Sequence, residues 1–113
     1  MANPRLFSEY IPAKGPQINN LKVEVYYSLG GTNWFTYKNE PRGYYLSVTP
    51  VDRSDRGGYM CESTTLGRGV KKLVKEVSRQ SKKAAEEAII LAKACKNDLI
   101  QYVCRTEGIE VIA

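Results

Sequence analysis

The feature that most constrains this chain is the change of character on either side of Gly67-Arg68-Gly69. Before it, Val23 to Val51 (VEVYYSLGGTNWFTYKNEPRGYYLSVTPV) holds five of the eight tyrosines, the only tryptophan and one of the two phenylalanines, cut by Gly30-Gly31 and by Pro41-Arg42-Gly43. After it, neither glycine nor proline occurs until Gly108, and lysine, alanine and glutamate dominate. Aromatic and β-branched runs separated by turn residues read as strands, whereas a long unbroken stretch of straight-chain residues reads as helix. The expected fold class is α+β: an N-terminal antiparallel β-meander followed by a long C-terminal helix or two consecutive helices.

Alternation begins at Leu21, with Leu21, Val23, Val25, Tyr27 and Leu29 on one face and Lys22, Glu24, Tyr26 and Ser28 on the other. Gly30-Gly31-Thr32-Asn33 is the expected turn into a second strand, Trp34 to Lys38. Pro41 and Gly43 suit the next turn, into Tyr44 to Val51, where Pro50 points to an edge or an exit. Tyr59 to Thr64 is the fourth expected strand. Residues 1–20 contain three prolines and no sustained period, and are read as an extended arm. The domain reading is therefore an arm over 1–20 and one α+β domain over 21–113, with the sheet at 21–64 and the helical part at 69–106.

From Val70 onward, Leu73, Val74, Val77, Ser81, Ala84, Ala85, Ala88, Leu91, Ala92, Cys95, Leu99, Tyr102 and Val103 fall within about 60° of one line on a helical wheel. A single helix of that length would run roughly 50 Å and overhang its own sheet. The alternative is a break near Lys96-Asn97-Asp98, where poor helix formers adjoin. Ile90 lies nearly opposite the stripe, so a homo-oligomer is expected, with exposed isoleucine at its interface. Gly108 is placed to end the helix, and Ile109 to Ile112 alternates like a terminal strand.

With 113 residues the chain forms one domain by length. No apolar run approaches the ~18 residues of a membrane span, and the first residues lack the apolar core of a signal peptide, so a cytoplasmic protein without membrane association is expected. Cys61, Cys95 and Cys104 are odd in number and lack metal-ligand spacing, which argues against disulfides and structural zinc. The chain contains no histidine, which lowers the expectation of an enzyme, although carboxylate, lysine or tyrosine catalysis stays open. No catalytic residue, metal site or cofactor is assigned. Arg68 to Lys83 carries seven basic residues against Glu76 alone, a net +6, while the remainder sums to −1. An anionic partner is implied.

Gly67-Arg68-Gly69 at a helix start, with Lys71 and Lys72 behind it, has the make-up of a phosphate cradle. A strand-to-helix turn with solvated lysines accounts for the same residues more plainly. Trp34, Phe35, Tyr37, Tyr44 and Tyr45 suit base stacking, but half of each strand must also face a core. Lys72, Lys75, Arg79, Lys82 and Lys83 fit either a nucleic-acid track or a solvated helix face.

Ser81-Lys82-Lys83-Ala84-Ala85-Glu86-Glu87-Ala88 resembles the signature that opens the last helix of a double-stranded-RNA-binding domain. In that family the lysines directly follow the third strand, whereas a helix begun at Gly69 would hold them over two turns inside it. Tyr26 to Tyr37, with Arg42 to Val51, resembles instead the phage-encoded Thoeris anti-defence proteins of the first type, and that similarity extends from about Lys22 through Val103. It implies a non-catalytic sponge in the host cytoplasm. A homo-oligomer, dimer or hexamer, would sequester a cyclic ADP-ribose isomer, and cyclic oligonucleotides in separate sites. Under this reading Trp34 and Tyr37 take the base, Asn33 and Asn97 the ribose or base edges, and Arg42, Arg68, Arg79 and Arg105 the phosphates, with Lys72 beside them. The alternative is an RNA- or DNA-binding module using the basic face, and a third reading is a protein-interaction inhibitor.

Overall fold

Alternating apolar residues make the centre of the sheet. In the computed structural model, which describes residues 5–33, 37–63 and 68–112, strand β2 (Ile18–Ser28) buries Leu21, Val23, Val25 and Tyr27 on one face. It is flanked on both sides by antiparallel strands, β1 (Arg5–Gly15) and β5 (Gly43–Arg56). Between β2 and β5 a small separate hairpin is formed by β3 (Gly31–Asn33) and β4 (Lys38–Glu40). Strands β6 (Tyr59–Ser63) and β7 (Val70–Glu76) both pair with β5, helix α1 (Lys82–Glu107) follows, and β8 (Glu110–Val111) closes the chain on β1. The architecture is α+β, with an antiparallel sheet from the N-terminus followed by one C-terminal helix. No helix of the described residues is long and apolar enough to cross a membrane.

Residues 5–20 are part of the sheet rather than a separate arm. Pro12 is tolerated because its carbonyl points outward to accept the Ile112 amide at 2.9 Å. A residue's N and O share one side of a strand, so the position of the missing N–H also faces away from β2. Gln17, with φ at 59°, makes the turn that the absence of glycine at that position concealed.

The segment 69–81 is not helical. Central strand β5 has a long edge, and β7 pairs with it from Gly43↔Glu76 to Val48↔Val70. Backbone groups of the buried β5 residues would otherwise lie unpaired, which outweighs the helical spacing of Val70, Leu73, Val74 and Val77. Beyond Pro50 the same edge passes to β6, which pairs from Asp52↔Ser63 to Arg56↔Tyr59. Pro50 therefore sits where β5 changes partner, and needs no ladder donor there.

The expected turn at 30–33 also differs, since Gly31–Asn33 is itself strand β3. The expected second strand falls partly on residues 34–36, outside the described residues.

Helix α1 begins at Ser81, whose extended backbone and side-chain oxygen, accepting from the Ala84 amide at 3.0 Å, cap it. It runs unbroken past Asn97 and ends at Gly108, which adopts φ 66° and ψ 43°. Its 26 residues span about 39 Å at the α-helical rise. The longest dimension of the molecule is 39 Å, so the helix crosses its sheet without the overhang a start at Gly69 would impose. Ala84, Ala88 and Ala92 are buried against the sheet, their small side chains leaving room for Tyr27 and Tyr44, which meet edge to face at 5.1 Å. Ile100, Val103 and Ile109 complete the core with Leu21, Val23, Val25, Leu46 and Val48.

The buried stripe differs from the expected one. Leu91 and Tyr102 are exposed and Ile100 is buried, while Ile90 stands at 68% exposure as the pattern predicts.

Two substitutions test this frame by urea denaturation. Ser81→Ala is expected to cost about 1 kcal/mol through loss of the cap. Gly43→Ala is expected to cost more, because its Cβ would collide with the Lys75 carbonyl and lie 2.9 Å from Glu76 Cα.

Candidate functional site

Because α1 starts at Lys82, the basic residues are redistributed. Of the seven between Arg68 and Lys83, Arg68, Lys71, Lys72 and Lys75 belong to β7 or its approach, Arg79 to the link that follows, and Lys82 and Lys83 alone to the helix. Three of the strand-side cations have carboxylate partners: Arg68 with Glu107 at 3.5 Å, Lys71 with Glu40, and Lys75 with Glu87 at 2.7 Å. The hydrogen bond and charge of Lys75 hold the Glu87 carboxyl below its ordinary value. Arg42, Lys72, Arg79, Lys82 and Lys83 have no carboxylate partner among the described residues.

Four of those five converge on one end of the molecule. Arg42 donates from Nε to the Leu29 carbonyl at 3.1 Å and from a terminal nitrogen to the Ser78 carbonyl at 3.4 Å, while its own carbonyl accepts the Val77 amide at 3.2 Å. These bonds tie the base of the β3–β4 hairpin to the segment that leads into α1. Tyr44 Oη reaches the Ser81 carbonyl at 3.5 Å from the core side. Arg42, Glu76, Val77 and Ser78 line an open cleft of about 500 Å³. Arg79, Lys82 and Lys83 are exposed beside it, and the first turn of α1 holds no acid. With no acid in that first turn the positive end of the helix is open to an anion, while Glu76 places one negative charge on the cleft wall.

The residues expected at a ligand site separate into groups. Arg42 and Arg79 share the helix-start end. Tyr37, 79% exposed with φ at 55°, lies in the hairpin that springs from the same end. Asn33 closes β3 opposite Lys38, and Trp34 and Phe35 lie outside the described residues. Arg68 is at the other end, donating to the Pro16 carbonyl at 3.0 Å and pairing with Glu107. Arg105 is in the last helical turn, where a cation complements the helix dipole. Asn97 is exposed midway along α1. Lys72 lines an apolar cleft of about 280 Å³ with Leu73, Val74, Leu91, Ala94 and Cys95. One compact site therefore does not contain all of them.

The phosphate cradle expected at a helix start is corrected over Arg68 and Gly69, Gly67 lying outside the described residues. Gly69 opens a strand, and its φ of 90° serves the close approach to β5, where a Cβ would meet the Val48 carbonyl at 2.7 Å. Tyr44 is a core residue at 1% exposure, not a stacking surface. Alternation could have shown this, since Tyr44 shares parity with Leu46 and Val48.

The sheet face opposite α1 carries Tyr45, one of the aromatics expected to stack, together with groups the sequence reading left unassigned. Tyr26 and Tyr45 stack across β2 and β5 with centroids 5.9 Å apart and planes 17° off parallel. Tyr45 donates to the Pro41 carbonyl at 2.6 Å, and burial, with Glu40 and Glu76 nearby, pushes its phenol above the ordinary value. Farther along this face Tyr10 donates to Glu62, Lys22 pairs with Glu62 at 3.0 Å, and the Arg53 guanidinium lies 3.6 Å from the Tyr10 ring centroid. Burial alone would raise the Glu62 carboxyl, but hydrogen bonds from Tyr10 and Lys22 outweigh it and hold it below 4.5.

No known protein family, characterised protein or solved structure gives a significant match to this chain.

The Glu62 cluster predicts an acid dependence. A carboxylate whose folded pKa is depressed contributes stability above its unfolded value, and loses it as pH falls through the folded one. Urea midpoints are therefore expected to decline below about pH 4.5, less steeply in Glu62→Gln, with a difference of at most about 1 kcal/mol for so exposed a cluster.

Proposed function

We propose that this protein binds nucleic acid, gripping the phosphate backbone with the cations gathered where β7 gives way to α1. The observation that carries this reading is the placement of Arg42, Arg79, Lys82 and Lys83, without carboxylate partners, around a capped helix start that has no acid in its first turn. The helix position also supports it. Ser81-Lys82-Lys83 now opens the helix directly after an antiparallel β2–β5–β7 run, the place this signature occupies in double-stranded-RNA-binding domains. In place of a first helix this chain has strand β1. Backbone recognition needs no catalytic group, and the site is read as non-enzymatic.

Fluorescence anisotropy with a labelled duplex and a single strand, between about 50 and 200 mM salt, tests the reading. Affinity is expected to fall steeply with salt. The double variant Lys82→Ala/Lys83→Ala is expected to bind more weakly and to reduce the log–log salt slope by about 0.7–0.9 per lysine removed. Affinity that is independent of salt, or a double variant with the wild-type slope, would refute it.

A second reading is favoured by one observation, the apolar cleft along β7 and α1. Leu73, Val74, Leu91, Ala94 and Cys95 line it with Lys72 at its rim, and Ile90, Leu91 and Tyr102 are exposed on the helix. In a cytoplasmic homo-oligomer, dimer or hexamer, a second copy would cover these residues and enclose a cyclic nucleotide such as a cyclic ADP-ribose isomer. Burial at an interface favours the slow release that sequestration requires. Native mass spectrometry with cyclic ADP-ribose isomers and cyclic oligonucleotides is then expected to show an oligomer that retains intact ligand. A monomer without ligand at micromolar concentration removes this reading.

A further inference from the structure

Helix α1 covers one face of the sheet and leaves the other to side chains of a different kind. On that second face Ser47 and Thr49 of β5 form the floor of a recess of about 240 Å³, with Tyr26 on one side and Arg68, Gly69, Val70 and Lys71 on the other. Ser47 and Thr49 are small beside Tyr26 and Lys71, which leaves the floor low. Tyr26 and Tyr45 rise at one end, and Lys71 Nζ stands 5.3 Å from the Tyr45 ring centroid. Gly69 brings β7 against Val48 and Thr49 more closely than any side chain would allow.

The electrostatics of the recess differ from those at the helix start. Its two cations are already balanced, Arg68 by Glu107 and Lys71 by Glu40, so it offers no unmatched positive charge to a phosphate. What remains is an aromatic wall and two hydroxyls, whose oxygens lie 3.4 Å apart. Hydroxyls both donate and accept, and an aromatic flank favours a flat ring. At about 240 Å³ the space lies below the roughly 300–1,000 Å³ of pockets that hold drug-sized molecules. It therefore suits one heterocycle and not a dinucleotide.

We infer that the recess over Ser47 and Thr49 is a subsite for a single uncharged nucleobase, presented unpaired, with Tyr26 as its flank and the two hydroxyls at its polar edge. This deepens the nucleic-acid reading, because a base can enter only from a strand that is not paired. The protein would then prefer single strands or splayed bases over an intact duplex.

The test uses the full chain and neutral nucleosides, so that it does not depend on backbone binding. Adenosine and uridine are titrated separately while the backbone amide resonances are followed by NMR, with inorganic phosphate as the charged control. At least one nucleoside is expected to give saturable shifts centred on Ser47, Thr49, Gly69 and Lys71, weakened in Thr49→Val, which keeps the shape and removes the hydroxyl. Phosphate is expected to shift the amides near Ser81 instead. In anisotropy, Tyr26→Leu is expected to lower single-strand affinity by about fivefold or more with an unchanged salt slope, and duplex affinity not at all.

Nucleosides that leave these amides unmoved, or phosphate that moves them equally, would overturn the inference. So would a Thr49→Val protein, folded by its urea midpoint, that binds nucleosides as the parent does. The nucleic-acid reading fails by a different result, the salt-independent binding described above, so the two failures are distinguishable.

Discussion

The pairing of β7 with β5 is the interaction on which the rest of this structure depends. Strand β5 lies at the centre of the sheet, and between Gly43 and Val48 it is buried on both faces. Its second edge must find hydrogen-bond partners, and Val70–Glu76 supplies them. Once those residues are a strand, α1 can start no earlier than the segment that follows, and Ser81 caps it. Helix length, its fit to the sheet and the location of the uncompensated cations all follow from this pairing.

The same pairing separates the molecule's charges by role. Lys75 reaches Glu87 across the strand–helix contact, and Lys71 reaches Glu40 at the base of the hairpin, so these lysines hold elements together. Arg79, Lys82 and Lys83, placed after the strand, are exposed and form no ion pair among the described residues, Lys83 acting on Glu87 only through its charge. A net +6 spread along one helix would have been a diffuse stripe. Divided between a strand and a capped helix start, it becomes a set of internal ion pairs and a compact positive end, and it is the positive end that can bind an external anion. On the opposite face of the sheet, balanced charges and hydroxyls make a neutral recess. The protein thus presents two chemically distinct surfaces, one suited to phosphate and one to an uncharged ring.

Much of the sheet was legible in the sequence because period-two alternation survives any tertiary context. Leu21, Val23, Val25 and Tyr27 mark the buried face of β2, and the polar residues between them mark the other. Arg42 and Arg79, expected as phosphate ligands, lie at the same end, which reflects the charge count. The reading failed where two patterns competed. Val70, Leu73, Val74 and Val77 satisfy a helical period, and their strand state depends on a partner more than twenty residues earlier. β1 was concealed by Pro12, whose missing N–H lies on the side away from β2, beside Ile112, a placement that no local window reveals. Ser47 and Thr49 drew no notice because small hydroxyl residues on a strand are ordinary until their neighbours are known.

By itself the sequence determined the α+β class, the buried face of β2, the presence of a C-terminal helix ending at Gly108 and the concentration of positive charge between Arg68 and Lys83, since each is a local property of composition and spacing. Only the tertiary structure decided where strand ends and helix begins, which lysines are neutralised, and which tyrosines line a core or an open face. Those outcomes depend on contacts between residues distant in the chain. The free energy of leaving a central strand edge unpaired exceeds any preference that residues 70–76 express alone.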